Sequence, residues 1–78
     1  MTFNFQKLRY ERMSRKISQE KMAKLLGMNH TSYWKRENGK VPISVEEFIK
    51  MLEVMGIPQS EAGNFFTDNV ANREQMAE

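Results

Sequence analysis

The chain has 78 residues, no cysteine, a single histidine and a formal net charge of +2. A chain of this length forms one domain. Without cysteine it has neither disulfides nor a thiolate metal site, and a single histidine, His30, cannot bind zinc by itself. Ten basic and three acidic side chains lie in residues 1–40, against two basic and seven acidic ones in residues 41–78. The basic first half either binds DNA phosphates, with the acidic half facing away from the DNA, or only makes a helical surface soluble.

A first helix is predicted over residues 4–13, with Phe5 and Leu8 packed inward. Apolar and charged residues alternate here, so the segment has no unbroken apolar run of the kind found in signal peptides and membrane spans. We therefore expect a soluble, unprocessed cytoplasmic protein with no membrane partner. Arg15 and Lys16 follow this helix, where cations either stabilise the helix dipole or contact DNA.

Residues 19–40 contain two short helices separated by a turn. The apolar residues of the first recur at helical spacing: Met22, Ala23, Leu25 and Leu26. This helix begins after Ser18 as N-cap and ends at Gly27, which adopts a positive φ without a Cβ clash. Asn29 is the N-cap of the next helix, which runs to about Asn38. Two helices joined by a short turn containing glycine form a helix-turn-helix unit, whose second helix enters the DNA major groove.

The rotation of the second of these helices decides which side chains reach DNA. If Tyr33 points inward, Glu37 lies near the same face one turn later. The outward residues are then Thr31, Trp34, Lys35 and Asn38, and His30 lies in the first turn, the part of a recognition helix that reaches base edges. The alternative rotation buries Trp34, a residue type that is often largely buried, and turns Tyr33 toward the groove. Arg36 fits neither arrangement well, so a DNA contact by Tyr33, Trp34 or Arg36 is left open.

The second half of the chain contains a well-defined fourth helix. Pro42 predicts a loop before it. The helix starts at Ser44, which forms a capping box with Glu47, and ends at Gly56. Its predicted apolar stripe consists of Val45, Phe48, Ile49, Leu52 and Met55.

A fifth helix is predicted to begin at the Ile57-Pro58 pair, because proline is favourable in a first helical turn. It reaches Phe65 or Phe66. From Thr67 onward the chain is polar, and we expect this tail to fray or to become ordered on a partner.

Two segments together resemble the Cro/repressor-type helix-turn-helix regulators, the xenobiotic-response-element-like proteins of bacteria and their phages. They are ISQEKMAKLLGMNHTSYWKRENGKVP and FIKMLEVMGIP, and the resemblance covers about Phe5 to Phe66. Its most specific matches are Ser18, Gln19, Ala23, Leu26, Gly27, residues 37–40 and residues 55–58. The resemblance implies an all-α, lambda-repressor-like domain of about five short helices at residues 1–66, with a tail at residues 67–78.

The resemblance also implies roles for individual residues. Base-reading positions are Asn29, His30, Thr31 and Lys35, and phosphate-contacting positions are Gln19, Asn38 and Lys40. Arg12 and Glu37 correspond to a buried ion pair that links the first helix to the third, which would make Arg12 structural. Lys16 departs from the family pattern, in which a glycine often closes the first helix.

These features predict a small transcriptional regulator, a repressor, that binds double-stranded operator DNA sequence-specifically as a homodimer in the nucleoid. A two-fold dimer spans two half-sites about 34 Å apart, whereas one recognition helix reads only a few base pairs. The candidates for the dimer interface are Ile57, Phe65, Phe66 and Val70. We expect one of the two phenylalanines to lie in the core instead.

A second hypothesis keeps the fold but makes the chain a protein-interaction module, such as an antitoxin or an antirepressor. It rests on the aromatic pairs and on the acidic C-terminal half as a protein-binding surface. An enzyme is the third class. With one histidine, no glycine-rich phosphate loop and no paired carboxylates across a pocket, the sequence predicts no enzymatic activity, no cofactor and no metal.

Overall fold

The computed structural model describes residues 1–67, which form four α-helices, one 3-10 helix and a two-stranded antiparallel ribbon. In chain order the elements are β1 (Thr2–Phe3), α1 (Phe5–Ser14), α2 (Gln19–Leu25), α3 (His30–Glu37), α4 (Val45–Met55), the 3-10 helix (Gln59–Phe65) and β2 (Phe66–Thr67). The prediction of about five short helices is confirmed. The ribbon is an addition that no sequence pattern indicated.

All four α-helices begin and end in the same way. Each N-cap accepts a hydrogen bond from the backbone N–H three residues later, and these caps are Asn4, Ser18, Asn29 and Ser44. After each helix, a residue with positive φ is followed by an N–H that donates to the carbonyl five residues earlier. Three of these residues are the glycines at 27, 39 and 56, but the fourth is Lys16, with φ of 59°.

The core lies between the inward faces of all the helices. Its buried apolar residues are Leu8, Met22, Ala23, Leu26, Tyr33, Phe48, Met51, Leu52, Met55, Ile57 and Phe65. Phe5 was expected inside but is only half-buried, with its ring centroid 5.0 Å from that of Phe3. Phe3 in turn packs on Phe48 and Phe65, so β1 covers one end of the core.

Helix α4 buries a different stripe from the one predicted. The buried residues are Phe48, Met51, Leu52 and Met55, at i, i+3, i+4 and i+7. Val45 is 74% exposed and Ile49 is half-buried. Val45 occupies the first helical position, where the side chain points back past the helix end rather than onto the core. The capping box between Ser44 and Glu47 is confirmed, with both hydrogen bonds at 3.0 Å.

The predicted fifth helix is a 3-10 helix rather than an α-helix. Pro58 precedes it as N-cap instead of occupying its first turn, and Glu61 N donates to the Pro58 carbonyl at 2.9 Å. Short 3-10 segments of this kind are common connectors. This one brings the chain back across the core to the ribbon.

Three of the four dimer candidates lie in the described residues, and their environments differ. Ile57 is 8% exposed and Phe65 is 1% exposed, so both pack in the core and are wrong as surface candidates. Phe66 is 38% exposed and pairs with Phe3 across the ribbon. The expectation of one buried phenylalanine is therefore confirmed. Thr67, assigned to the tail, pairs with Thr2 instead, and Val70 with the rest of the predicted tail lies outside the described residues.

Arg15 joins the end of α1 to the end of α4. Its Nε donates to the Met55 carbonyl oxygen at 2.6 Å, and its Nη1 donates to the Glu11 carboxylate at 2.6 Å. Carbonyls at a helix C-terminus lack intrahelical donors, and a cation satisfies them well. The Arg15 Nη1 also donates to the Glu11 carbonyl oxygen at 2.9 Å. Arg15 is thus a helix-terminal cation for both α1 and α4, as one of the two alternatives held.

Candidate nucleic-acid interface

Helix α3 is anchored by the carboxylate of its last residue. Glu37 is fully buried, and it accepts hydrogen bonds from three side chains. Arg12 donates through Nε and Nη2 at 2.8 and 3.0 Å, Gln19 through Nε2 at 3.1 Å, and Arg9 through Nε at 3.4 Å. The buried ion pair implied for Arg12 and Glu37 is present, and it ties α1 to α3.

The surroundings of Glu37 keep it ionised inside the protein. Burial alone would raise its pKa, but the hydrogen bonds and positive charge of Arg12, together with the neighbouring Tyr33 hydroxyl and the Gln19 amide, hold the pKa of Glu37 below its ordinary value. Burial likewise opposes the charge on Arg12, yet pairing with Glu37 raises the pKa of Arg12. The interface therefore rests on a charged pair whose two members depend on each other.

Gln19 connects this carboxylate to the outer side of α3. Because its amide nitrogen donates to Glu37, its side-chain oxygen is the group that faces His30, whose Nε2 lies 3.3 Å away. An amide oxygen only accepts, so the contact forms when His30 Nε2 carries a proton. Gln19, the expected phosphate contact, and His30, an expected base contact, are thus linked through their side chains.

The outward face of α3 carries side chains that differ in chemistry. Its exposed residues are His30, Thr31, Trp34 and Lys35. Asn29 precedes them as the N-cap, with its Oδ1 accepting from Ser32 N at 2.7 Å. The Asn29 oxygen is therefore committed to the helix, and a base would be contacted through its amide nitrogen.

Tyr33 points inward and Trp34 points outward. Tyr33 is fully buried, whereas Trp34 is 42% exposed. The rotated alternative is wrong, and Tyr33 is removed from the possible DNA contacts, because its ring is part of the buried core. Burial and then the neighbouring Glu37 carboxylate raise the pKa of Tyr33, so the phenol stays neutral. Its hydroxyl makes no hydrogen bond to residues 1–67.

Arg36 packs α3 against α4. Its Nε donates to Glu47 Oε1 at 3.0 Å, and its Nη1 donates to the Ser32 carbonyl at 2.9 Å. The Arg36 hydrogen bond holds the pKa of Glu47 below its ordinary value. A DNA contact by Arg36 was left open, and the structure gives this side chain an acidic partner on another helix instead.

Lys35 and Lys40 lie at the C-terminal end of α3, and both are exposed. The Lys40 N–H donates to the Lys35 carbonyl at 2.7 Å, which closes the turn after the helix. That turn favours Gly39, because its φ of 73° lies in the left-handed region that side chains rarely adopt. The glycine thereby fixes where Lys40 leaves the helix.

Asn38 is half-buried and bonded on both sides. Its Nδ2 donates to the Trp34 carbonyl at 2.9 Å, and its Oδ1 accepts from Arg9 Nη2 at 3.4 Å. Arg9 has a 43% exposed side chain and was not selected from the sequence. Its position three residues before Arg12, on the same face of a helix, is the signal that would have found it.

A family model described as helix-turn-helix matches residues 8–60. The chain belongs to the Cro/repressor-type helix-turn-helix family. Its fold is lambda-repressor-like, and the protein is a DNA-binding transcriptional regulator. Searches among curated proteins and among solved structures gave no significant match.

The family match runs from α1 to the first residues of the 3-10 helix, so it includes every side chain of the interface described above. The β1–β2 ribbon lies outside it. Within residues 1–67, no group of three or more histidine, aspartate or glutamate side chains is arranged to hold a metal ion. None of the helices in this part of the chain has the length and apolarity needed to cross a membrane.

Proposed function

We propose that this regulator is a repressor that binds operator DNA sequence-specifically as a homodimer, in the cytoplasm at the nucleoid, and that it has no enzymatic activity. The observation that carries the proposal is the outer face of α3. His30, Thr31 and Lys35 are exposed there, on a helix whose inner side is fixed by Glu37. The second helix of a helix-turn-helix presents such a face to the major groove.

Base reading falls to Asn29, His30, Thr31 and Lys35. The most concrete pairing is Lys35 with guanine, because an ammonium donates well to O6 and N7 in the major groove. Thr31 adds a hydroxyl and a methyl group, and His30 adds a ring nitrogen. Four side chains of different chemistry on one helix are sufficient to discriminate a short half-site.

Phosphate binding falls to Gln19, Asn38 and Lys40, which flank α3. Contacts of this kind position a protein on the duplex without reading its sequence. Lys40 brings a full charge, and its exposed side chain leaves the helix at a turn that Gly39 fixes. Gln19 and Asn38 bring amide donors, and both are held in place by hydrogen bonds within the protein.

The dimer interface is proposed at an apolar groove beside this surface. The groove has a volume of about 320 Å³ and is lined by Phe3, Phe5, Pro42, Ile43, Ser44, Val45, Phe48 and Phe66. Its wall at residues 42–45 begins two residues after Lys40, so a second copy seated there would lie close in the chain to a phosphate-contacting position. The exposed Phe66 and Val45 of each copy would fill the groove of the other, as an isologous two-fold contact requires.

Selection from a random-sequence duplex library tests this function. The expected result is enrichment of one two-fold symmetric sequence, with half-sites about 34 Å apart along the duplex. Occupancy of such a site in a promoter should lower transcription in a purified system. A library from which no sequence is enriched would contradict the proposal.

A protein-interaction module on the same fold is the second candidate function, and the apolar groove favours it. The burial of Tyr33 and Phe65 removes two of the aromatic side chains on which this candidate relied. It predicts that the chain forms a stoichiometric complex with another protein and that this complex persists at high salt. It also predicts that the complex forms unchanged when Lys35 and Lys40 are both replaced by alanine.

A further inference from the structure

The outer surface of α3 has a shallow cavity that the assignments above leave without an occupant. Its lining consists of His30, Thr31 and Trp34, and its volume is about 200 Å³. His30 and Trp34 lie one turn apart, and Thr31 lies beside them on the same side of the helix. The cavity therefore opens in the first two turns of α3, the part of a recognition helix that reaches base edges.

Among residues 1–67, no contact of the Trp34 indole explains why this side chain lies at the surface. Its backbone carbonyl accepts hydrogen bonds from the backbone N–H and the side-chain amide of Asn38, and neither bond involves the indole. The indole is 42% exposed and does not belong to the buried core of residues 1–67, since Tyr33 occupies the inward position. A large aromatic side chain held at the surface commonly marks a contact.

The lining combines an aromatic ring and a threonine methyl group with one polar edge from His30. In the major groove, most of what a base pair presents consists of hydrogen-bond donors and acceptors, and the one apolar group is the C5-methyl of thymine. We propose that Thr31 and Trp34 form a receptor for this methyl group, so that the regulator requires a thymine at one position of each half-site. This inference rests on the DNA-reading function proposed above, and it assigns one base of the site.

The experiment uses the duplex enriched from the random library. Each thymine is replaced in turn by deoxyuridine, which removes only the C5-methyl group, and the affinity of the full-length protein is measured. One thymine per half-site should show a loss of roughly fourfold, the effect of one buried methyl group. The other thymines should show no loss.

Two variants assign the effect to the cavity. In Trp34→Ala the uridine penalty should disappear, and Thr31→Ser, which removes a single methyl group from the protein, should reduce it. Tyr10→Ala is the matched control, because Tyr10 is an aromatic residue on α1 that is 67% exposed and lies outside the interface. It should keep both the affinity and the penalty of the unmodified protein.

Three results would overturn the inference while leaving the proposed function intact. The first is equal binding of thymine and uridine at every position, as expected if the indole packs on a deoxyribose. The second is a uridine penalty that persists in both Trp34→Ala and Thr31→Ser, and the third is an enriched site whose half-sites lack thymine. Failure to enrich any sequence would instead contradict the proposed function, and the inference with it.

Discussion

The Arg12 guanidinium donates two hydrogen bonds to the Glu37 carboxylate, from Nε to Oε1 at 2.8 Å and from Nη2 to Oε2 at 3.0 Å, and so joins α1 to the last residue of α3. Arg12 is 6% exposed and Glu37 is fully buried. Desolvation offsets most of the attraction in such a pair, but loss of one partner leaves the other as an uncompensated charge. The pair therefore fixes the position of the recognition helix more than it raises the stability of the domain.

Glu37→Gln should lower the free energy of unfolding by about 3 kcal/mol, because it strands the buried charge of Arg12. Urea denaturation followed by circular dichroism measures the loss. Glu11→Gln makes the same chemical change at a carboxylate whose partners, Lys7 and Arg15, are partly exposed, and it should cost about 1 kcal/mol or less. Equal losses in the two variants would contradict the anchoring role of Glu37.

The contribution of this pair should disappear in acid. The pKa of Glu37 in the folded protein lies below its ordinary value of 4.5, so the stability it brings is present above that pH and is lost as pH falls through the lower, folded value. The difference in unfolding free energy between wild type and Glu37→Gln should therefore narrow below pH 4.5. Glu11 and Glu47 also have lowered pKa values, but they titrate in both proteins. A difference that stays constant into strong acid would be inconsistent with this account.

Local signals in the sequence predicted the helices and their ends well. The capping residues at Ser18, Asn29 and Ser44 each make the expected hydrogen bond, because an N-cap depends only on residues within one turn. The stripe on α4 was less well predicted. Both Ile49 and Met51 lie next to Phe48 and Leu52 on the helix surface, and packing against other elements decides which of them is buried.

Apart from the Arg12–Glu37 pair, which the family resemblance implied, contacts between distant residues could not be read from the sequence. The ribbon pairs Thr2 with Thr67, and no pattern within two-residue strands specifies such a partner. Arg36 found its acidic partner on α4, although Glu37 is its neighbour in the sequence. Either of the adjacent aromatic residues Tyr33 and Trp34 was suited to the core. Tyr33 is the buried one, because it lies one turn before Glu37, whose side chain points inward.

Lys16→Gly should stabilise the domain by about 1 kcal/mol, because Lys16 holds a left-handed conformation that costs a side chain energy. Gly27→Ala is the reciprocal change. It places a Cβ at φ of 75° in open space, so its cost of about 1 kcal/mol should come from the backbone alone. Chemical denaturation of both variants measures the two effects. A destabilised Lys16→Gly would show that the lysine side chain has a stabilising contact.

Phe66→Ser should weaken the homodimer by roughly tenfold or more, since the contact buries this side chain twice. Sedimentation equilibrium measures the dimer dissociation constant. Met13→Ser is the control, because Met13 is also exposed, at 59%, but lies on α1 outside the groove. A dissociation constant that is the same in wild type and Phe66→Ser would contradict the proposed interface.

Helix α3 is proposed to read bases while Lys40 binds the DNA backbone. The most direct test of this division is a titration of the enriched duplex and of a permuted duplex at several salt concentrations. Lys40→Ala should weaken binding to both about equally and flatten the dependence of log affinity on log salt by about one unit per subunit. Lys35→Ala should instead relax discrimination at one base pair of each half-site. Arg36→Met should leave the salt dependence unchanged, because its charge is paired with Glu47. Weak binding by the wild-type protein that is equal for both duplexes and insensitive to salt would contradict the account.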